Sequence, residues 1–287
     1  MKLSIIIACY NASETIEEQL KSLLKQKWSE PWEVIFADNG SKDNTIEIIR
    51  KYQDKIPNLR FIDASQKRGA AYARNFGANV AKSESLAFCD ADDLIASGWV
   101  ESIGEALQKY DFIAGKKDYK KLNESWVLEC FGIEESGLHE SAGYLPFAGA
   151  HNLAVKRSVH NSVGGFDESM MVLEDVDYCW RIQQAGTQLH YIPEALVYFR
   201  FRKTLKGMYI RSWNMGCQEP LLYMKHMSNG IPKIITWKTF IKAAVMLPLQ
   251  FLLLKIRDKK SLGKWLMDFA WRAGQLKGCI QYGYLPF

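Results

Sequence analysis

The chain has 287 residues, of which 48% are hydrophobic, with 20 glycines and 8 prolines. That is enough apolar side chain for one large core, or a core with an appendage, and it excludes collagen-like, low-complexity and disordered chains. The net charge of +5 conceals two opposed halves: residues 200–287 hold 16 Lys+Arg against 3 Asp+Glu (+13), and the other 199 residues hold 21 against 29 (−8).

In chain order, the first half alternates short apolar runs with amphipathic patterns. The run at 3–9 is too short for a signal peptide and passes into Tyr10-Asn11-Ala12-Ser13-Glu14, so it reads as a buried strand over 4–8. Further strands are predicted at 33–37, 59–62 and 86–89. Ile16, Leu20, Leu23 and Leu24 mark a first helix, with Asn11 and Glu14 as its expected capping box. Ile46, Ile49 and Tyr52 mark a second, opened by Ser41-Lys42-Asp43-Asn44, and a third runs from Gly69 to Ala81. Alternation at this spacing predicts a parallel α/β sheet with right-handed crossovers.

In such a sheet, ligands bind beyond the carboxyl ends of the strands. Three predicted ends carry suitable chemistry: Ala8-Cys9-Tyr10-Asn11, Ala37-Asp38-Asn39-Gly40-Ser41 and Asp90-Ala91-Asp92-Asp93. The last is the most informative, because Leu86, Ala87, Phe88 and Cys89 run straight into three carboxylates. Crowded acids repel, and burying them unpaired is costly. Mg²⁺ or Mn²⁺ would relieve both penalties, taking phosphate oxygens into its shell. The competing reading is an acidic turn before a helix, with Asp93 capping residues 94–107. No GxGxxG and no GxxxxGK[ST] is present, which argues against a dinucleotide fold or a P-loop.

In the middle, strands are predicted at 111–115 and 153–156, joined through the small-residue loop 145–152 that contains His151. Gly164-Gly165-Phe166-Asp167 reads as a turn. A helix is predicted from Glu174-Asp175-Val176-Asp177 to Gly186, its acids suited to the N-terminus. Two returning strands follow at 189–192 and 195–199. Cys9, Cys89, Cys130, Cys179, Cys217 and Cys279 form no CxxC pair, as expected of free thiols in a reducing compartment.

These motifs, in this order over residues 1–200, resemble family 2 glycosyltransferases. The resemblance implies an α/β GT-A fold, with a mostly parallel, Rossmann-like central sheet flanked by helices. It implies a catalytic domain over 1–205, divided into a nucleotide-sugar half (1–110) and an acceptor half (111–205). Asp38-Asn39-Gly40-Ser41 is similar to the family's Asp-Asp-Gly-Ser turn, with Asn39 in place of the second Asp. Gly69, Ala73-Arg74-Asn75, Gly77 and Ala81 follow its Gly-x3-Ala-Arg-Asn-x-Gly-x3-Ala pattern, and Asp90-Ala91-Asp92 looks like its metal-binding DxD. Carried onto this chain, Cys9, Tyr10, Asn11, Asp38, Arg74, Asp90 and Ala91 would contact the nucleotide or diphosphate. Asp92, with Asp90, would hold the metal, and Asp93 would support from behind. Asp175 would be the base of an inverting displacement, with Glu174 and His151 in the sugar or acceptor pocket and Asp177 structural. For His151 a satisfied, non-catalytic place is the competing reading.

Two departures stand out. The histidine that many members place after the last strand is replaced by Tyr198-Phe199-Arg200-Phe201-Arg202, whose arginines would neutralise the diphosphate. The QxxRW signature of processive members is unmatched, since Met208-Tyr209-Ile210-Arg211-Ser212-Trp213 lacks the Gln and inserts Ser212, so a single sugar addition is expected. The competing functions are a catalytically silent sugar-nucleotide-binding scaffold and a sugar nucleotidyltransferase. The second lacks its Gly-rich N-terminal loop.

The basic region 206–287 mixes cations with Trp213, Trp237, Phe240, Phe251, Trp265, Phe269 and Trp271. Its apolar stretch 243–254, interrupted by Pro248 and Gln250, falls short of the ~20 residues a spanning helix needs. It is expected to form a helical appendage attached to an anionic membrane surface as an interfacial helix or re-entrant hairpin, with 255–260 as a positive patch; the competing reading is a helical subdomain packed on the catalytic domain, its cations solvated. That placement predicts a cytoplasmic protein, peripheral on the inner face of the cell membrane, with a glycan or lipid-linked acceptor. Nucleic acid is not an expected partner, because no nucleic-acid module is present.

Overall fold

A computed structural model describes residues 1–132, 137–140, 143–233, 235–253 and 255–284. The first half follows the predicted alternation: β1 (Leu3–Cys9), α1 (Ile16–Leu24), β2 (Trp32–Asp38), α2 (Thr45–Arg50), β3 (Leu59–Asp63), α3 (Ala70–Val80) and β4 (Ser85–Asp90). Strands β1, β2 and β4 are largely apolar and buried because both faces of the sheet are covered there, whereas the edge strand β3 is only partly buried. Leu3, Ile5 and Ile7 pack with Ile16, Leu20 and Ile49 of α1 and α2. Ile6, pointing the other way, packs with Ala71 and Ala78 of α3.

Next come β5 (Leu94–Ile95), α4 (Trp99–Lys109), β6 (Phe112–Asp118), α5 (Ser125–Phe131), β7 (His139–Glu140) and β8 (Pro146–Phe147). They are followed by β9 (Leu153–Lys156), α6 (Arg157–Ser162), α7 (Glu174–Gln184) and β10 (His190–Tyr198). The eight-stranded sheet has the order β3-β2-β1-β4-β9-β6-β10-β5. Strands β3, β2, β1 and β4 are parallel, and β9 lies antiparallel between β4 and β6. That reversal positions the site: Phe88 near the tip of β4 pairs with Leu153, the first residue of β9. The segment entering β9 therefore reaches the same edge at which β4 ends.

Three expectations are corrected in detail. No capping box forms on α1. Thr15 is its N-cap without a side-chain bond, and Asn11 turns away at φ +49 to accept from the Lys42 N–H. The helix expected over 94–107 begins only at Trp99, because Leu94–Ile95 pairs antiparallel with β10. The two returning strands are one strand with an irregularity between Ile192 and Leu196.

The C-terminal region forms α8 (Leu205–His226), α9 (Trp237–Leu252) and α10 (Lys259–Tyr282). Helices α8 and α10 approach at glycines: a Cβ on Gly274 would lie 2.4 Å from the Trp213 carbonyl oxygen, and one on Gly278 would lie 2.3 Å from that of Cys217. The start of α10 is fastened to α5 by Lys260 with Glu129 at 2.6 Å and by Lys259 over the Trp126 ring at 3.7 Å. Two cations of the expected patch at 255–260 are thus engaged within the chain. Helix α9 has no buried residue, and no helix is long and apolar enough to cross a membrane among the described residues.

Candidate active site

At the carboxyl edge, the turn after β2 is held from within. The Asp38 carboxylate is 2% exposed and accepts from the Gly40 and Ser41 N–H groups at 3.0 and 2.9 Å. It also accepts from the Ser41 hydroxyl, and the Cys9 thiol points at it from 3.7 Å. Cys9 itself is buried at 3% in the core beneath, and burial raises its thiol pKa well above the ordinary value. Both side chains, expected to face the nucleotide, here close the turn. Asn39 explains its departure from the family pattern. Its amide donates to the Ala64 and Lys67 carbonyls at 2.6 and 2.8 Å and accepts from Gly69 N–H at 2.8 Å. An ionised Asp has no N–H to give those two carbonyls.

Arg74, from α3, ties three elements together. Its guanidinium donates to Asp90 Oδ1 at 2.8 Å and to Glu174 Oε1 at 2.7 Å. Only 6% of its side chain is exposed, and its Nε has no hydrogen-bond partner among the described residues. Burial opposes the charge, but the two acids outweigh it and raise the Arg74 pKa. Burial likewise penalises the Asp90 carboxylate, yet Arg74 holds its pKa below the ordinary value. Glu174 is pushed up to about 7 by burial and by Asp175, against the pull of Arg74. Leu173, just before this acidic pair, sits at φ +63, a left-handed conformation costing roughly 1–3 kcal/mol for a non-glycine residue and frequent at functional sites.

Asp175 lies beside His151. Its Oδ2 accepts from the Ala150 N–H at 3.3 Å and its Oδ1 from Val176 N–H at 2.9 Å, while burial raises its pKa. Gly149 leaves room for this approach: a Cβ there would lie 2.3 Å from His151 Cε1. Burial, reinforced by Lys117, lowers the His151 pKa to about 3, so the ring is neutral at physiological pH, and its Nε2 lacks a hydrogen-bond partner among the described residues.

One ligand atom each from Asp90, Asp93 and His151 lies within 4.8 Å of the others. Asp93 is 1% exposed. Its Oδ1 accepts from Arg200 N–H at 2.8 Å, its Oδ2 has no partner among the described residues, and burial together with Asp92 and Asp90 raises its pKa well above the ordinary value. The orphaned Asp93 oxygen and His151 nitrogen fit a divalent cation, which would supply both missing partners. Asp92, expected as the leading ligand, stands outside this set with its carboxylate 3.7 Å from Arg202. Sequence reasoning placed Asp93 behind the site and His151 in the sugar pocket. The signal it lacked was the antiparallel β9, which brings residues 150–152 beside Asp90.

Three cavities meet here. One of ≈ 620 Å³ is lined by Tyr10, Asn11, Ala91, Asp92, Arg200 and Arg202. A second of ≈ 480 Å³ contains Asp90, His151, Glu174, Asp175, Arg202 and Arg211. A third of ≈ 590 Å³ runs from Asp175 and His151 towards α8 and α10. Arg211 was noted in the sequence only as part of a broken motif. Its guanidinium stands 5.9–6.0 Å from the ring centres of Phe131, Phe199 and Phe201 and lines the last two cavities. Lys117, also missed, has its pKa lowered to about 8 by burial. Asp177 is fully buried and binds Arg181 at 2.7 Å, Lys225 at 2.6 Å and His226 at 3.1 Å, joining α7 to α8.

A buried acid cluster at the strand tips of a mixed α/β sheet, parallel apart from the reversed β9 and β5, is the architecture of a GT-A sugar transferase. The sequence matches the family profile described as Glycosyl transferase family 2 over residues 4–164 and that of Glycosyl transferase family group 2 over residues 86–277. The chain belongs to glycosyltransferase family 2. It is 29% identical over 231 residues to poly-beta-1,6-N-acetyl-D-glucosamine synthase of Staphylococcus epidermidis, covering 77% of this chain and 55% of that protein. The same-named protein of Staphylococcus aureus (strain COL) is 29% identical over 233 residues, with the same coverage. The chain therefore spans about half the length of these curated relatives. Among solved structures, the mannosyltransferase PcManGT from Pyrobaculum calidifontis, in complex with GDP-Man and Mn²⁺, superposes with a TM-score of 0.61 at 18% identity, covering 99% of this chain and 76% of that one. S. aureus TarS 1-349 in complex with UDP gives 0.55 at 17% identity, covering 99% and 92%. At these identities the structures speak for the fold.

Proposed function

We propose that this enzyme moves one sugar from a nucleoside-diphosphate donor to a hydroxyl of a glycan or lipid-linked acceptor, with inversion and with a divalent cation. The observation that carries the reading is a succession of three cavities, the first and second sharing Asp90 and the second and third sharing Asp175. The nucleotide occupies the cavity at Tyr10, Asn11 and Ala91, with Asp38 and Cys9 shaping the turn beneath it. The diphosphate and sugar occupy the second, and the acceptor enters through the third. UDP and GDP donors are both compatible, given the nucleotides named with PcManGT and TarS.

Asp90, Asp93 and His151 would hold the cation, with Asp92 at the cavity rim. When bound, it neutralises charge on the departing diphosphate. Arg200, Arg202 and Arg211 add fixed positive charge at the same place, where leaving-group charge develops. Arg74 keeps Asp90 ionised and locks α7 against the β4 tip. Asp175 takes the proton of the acceptor hydroxyl as its oxygen bonds to the anomeric carbon. The bond from that carbon to the phosphate oxygen breaks, and its electron pair leaves with the diphosphate. Burial raises the proton affinity of Asp175 and so strengthens it as a base. One addition per encounter is favoured by the unmatched QxxRW segment.

The exposed apolar side chains of α9, with Lys238 and Lys242 near its start and Lys255 beyond its end, favour attachment to an anionic membrane surface. Flotation with acidic liposomes, but not with neutral ones, is the expected result, and no flotation with either opposes attachment. The transferase reading is tested by a panel of nucleotide sugars with and without Mn²⁺ or Mg²⁺, scoring binding and product together. Metal-dependent binding of one donor with transfer to an acceptor supports it, and failure of every donor to bind overturns it.

A further inference from the structure

We propose, on the transferase reading, that the acceptor sugar is acidic: it carries a carboxylate or phosphate group that Lys117 binds in the cavity of Asp175.

Lys117 lies near the end of β6. Among the described residues, it and Arg74 are the two buried lysine or arginine residues, each 5% exposed. Their surroundings differ. Arg74 has two carboxylates within 2.8 Å. Lys117 has no acid within ion-pair distance among the described residues. Its Nζ donates to Nε2 of His139 at 2.5 Å and lies 6.0 Å from the centre of the Tyr119 ring. Burial and Lys117 together lower the His139 pKa to about 4, so that ring is neutral and gives a lone pair but no counter-charge. An ammonium has three N–H donors, and His139 takes one. The charge of Asp175 acts on Lys117 through space, but its two oxygens accept from the Ala150 and Val176 N–H groups. A buried charge without a counter-charge is costly, and a ligand is what can supply one here.

The cavity says which ligand. Lys117, Tyr119 and His139 line the ≈ 590 Å³ space that Asp175 also lines, and Arg211 stands in its α8 wall. Arg211 also has no acid within ion-pair distance among the described residues, and its guanidinium lies beside the phenylalanine rings named above. Of the other acids in this cavity, Glu219 is held by Trp271 Nε1 at 2.7 Å and by Gln275 Nε2 at 2.5 Å, and the charge of Asp268 is balanced through space by Lys264 and Arg272. The part of the cavity that holds Lys117 and the base therefore carries unmatched positive charge between aromatic walls, an apolar pocket with few polar groups to fix a ligand's orientation. A neutral sugar could give hydroxyl oxygens to the two remaining Lys117 N–H groups but would leave the charge unmatched. A carboxylate or phosphate accepts both and neutralises it, as a charge-assisted pair. The Tyr119 hydroxyl, 3.5 Å from His139 Nε2, offers a further donor beside it.

The test uses the full chain with saturating UDP or GDP and Mn²⁺, and three probes differing at one carbon. They are para-nitrophenyl β-glucuronide, para-nitrophenyl β-glucoside, and the glucoside phosphorylated on its primary hydroxyl. Affinities are read by ligand-observed NMR titration. One or both acidic probes should bind at least about tenfold tighter than the glucoside, and which of them does so identifies the anion. Lys117→Met, which keeps an unbranched stem and removes the charge, should reduce that preference to about twofold or less, with nucleotide binding as the check that the variant is folded. Equal affinity for all three probes in the native chain, no binding of either acidic probe, or a preference that survives in a folded Lys117→Met overturns the inference. The native chain alone decides the first two outcomes, whatever the variant does. If nucleotide still binds in those cases, the transferase reading stands. If the native chain binds neither UDP nor GDP, that reading falls and this one with it.

Discussion

Replacing Arg74 with methionine removes the charge from a side chain that bonds two acids, at 2.7 and 2.8 Å, with 6% of its surface exposed. Removing one partner of a buried pair costs roughly 3–5 kcal/mol, and proton uptake by the stranded acids limits the loss at about 1.4 kcal/mol per unit of pKa rise. At about pH 8, where Glu174 (near 7) and Asp90 are both ionised, Arg74→Met should therefore lose about 3 kcal/mol, a fall of roughly 6–12 °C in Tm for a chain of this size. At about pH 5 Glu174 is already protonated, so only Asp90 loses a counter-charge and the deficit should fall by about half. The sign follows from each acid's shift. Stability contributed by Asp90, whose pKa is lowered, is present above the ordinary carboxylate range and lost as pH falls. That from Glu174, whose pKa is raised, is present below the ordinary value and lost as pH rises through about 7. Calorimetric melting of both proteins at the two pH values is the assay. A Tm loss that is equal at both, or absent at the higher pH, refutes the reasoning.

The other expectations are narrower. Asp93→Asn should weaken Mn²⁺ binding at least about tenfold, measured by titration with donor present, and Asp92→Asn should weaken it less. The reverse order would restore Asp92 as the leading ligand. Asp177→Asn should flatten the acid limb of the stability profile: Lys225, His226 and Arg181 hold the Asp177 pKa far below its ordinary value despite burial, so its contribution is present above about pH 4 and lost below it. Gly274→Leu, with no space beside the Trp213 carbonyl, should cost about 1–3 kcal/mol or more and leave α10 open to limited proteolysis.

The first four strands and three helices were legible because each follows a local rule, a short apolar run for strands and an apolar stripe for helices. The acids at 90–93 and 174–175 were legible as types placed at strand and helix ends. What escaped was long-range. The antiparallel seat of β9 depends on pairing with Ser85–Phe88 and Phe112–Ala114, and nothing in residues 153–156 announces direction. The grouping of His151 and Asp93 with Asp90 was therefore not legible, although His151 does line the cavity of Glu174 and Asp175, and Leu94–Ile95 was read as helix where its partner on β10 makes it strand. Arg211 was hidden for a related reason: its three phenylalanines come from 131, 199 and 201, far from it in the chain.

The account turns on Asp175 as the group that accepts the acceptor's proton. The direct measurement is the rate of glycoside product formation by Asp175→Asn with a donor it binds, alongside its donor affinity. Transfer should fall roughly 10²–10⁴-fold while donor affinity stays within about twofold of the native enzyme. Transfer at the native rate would contradict the account.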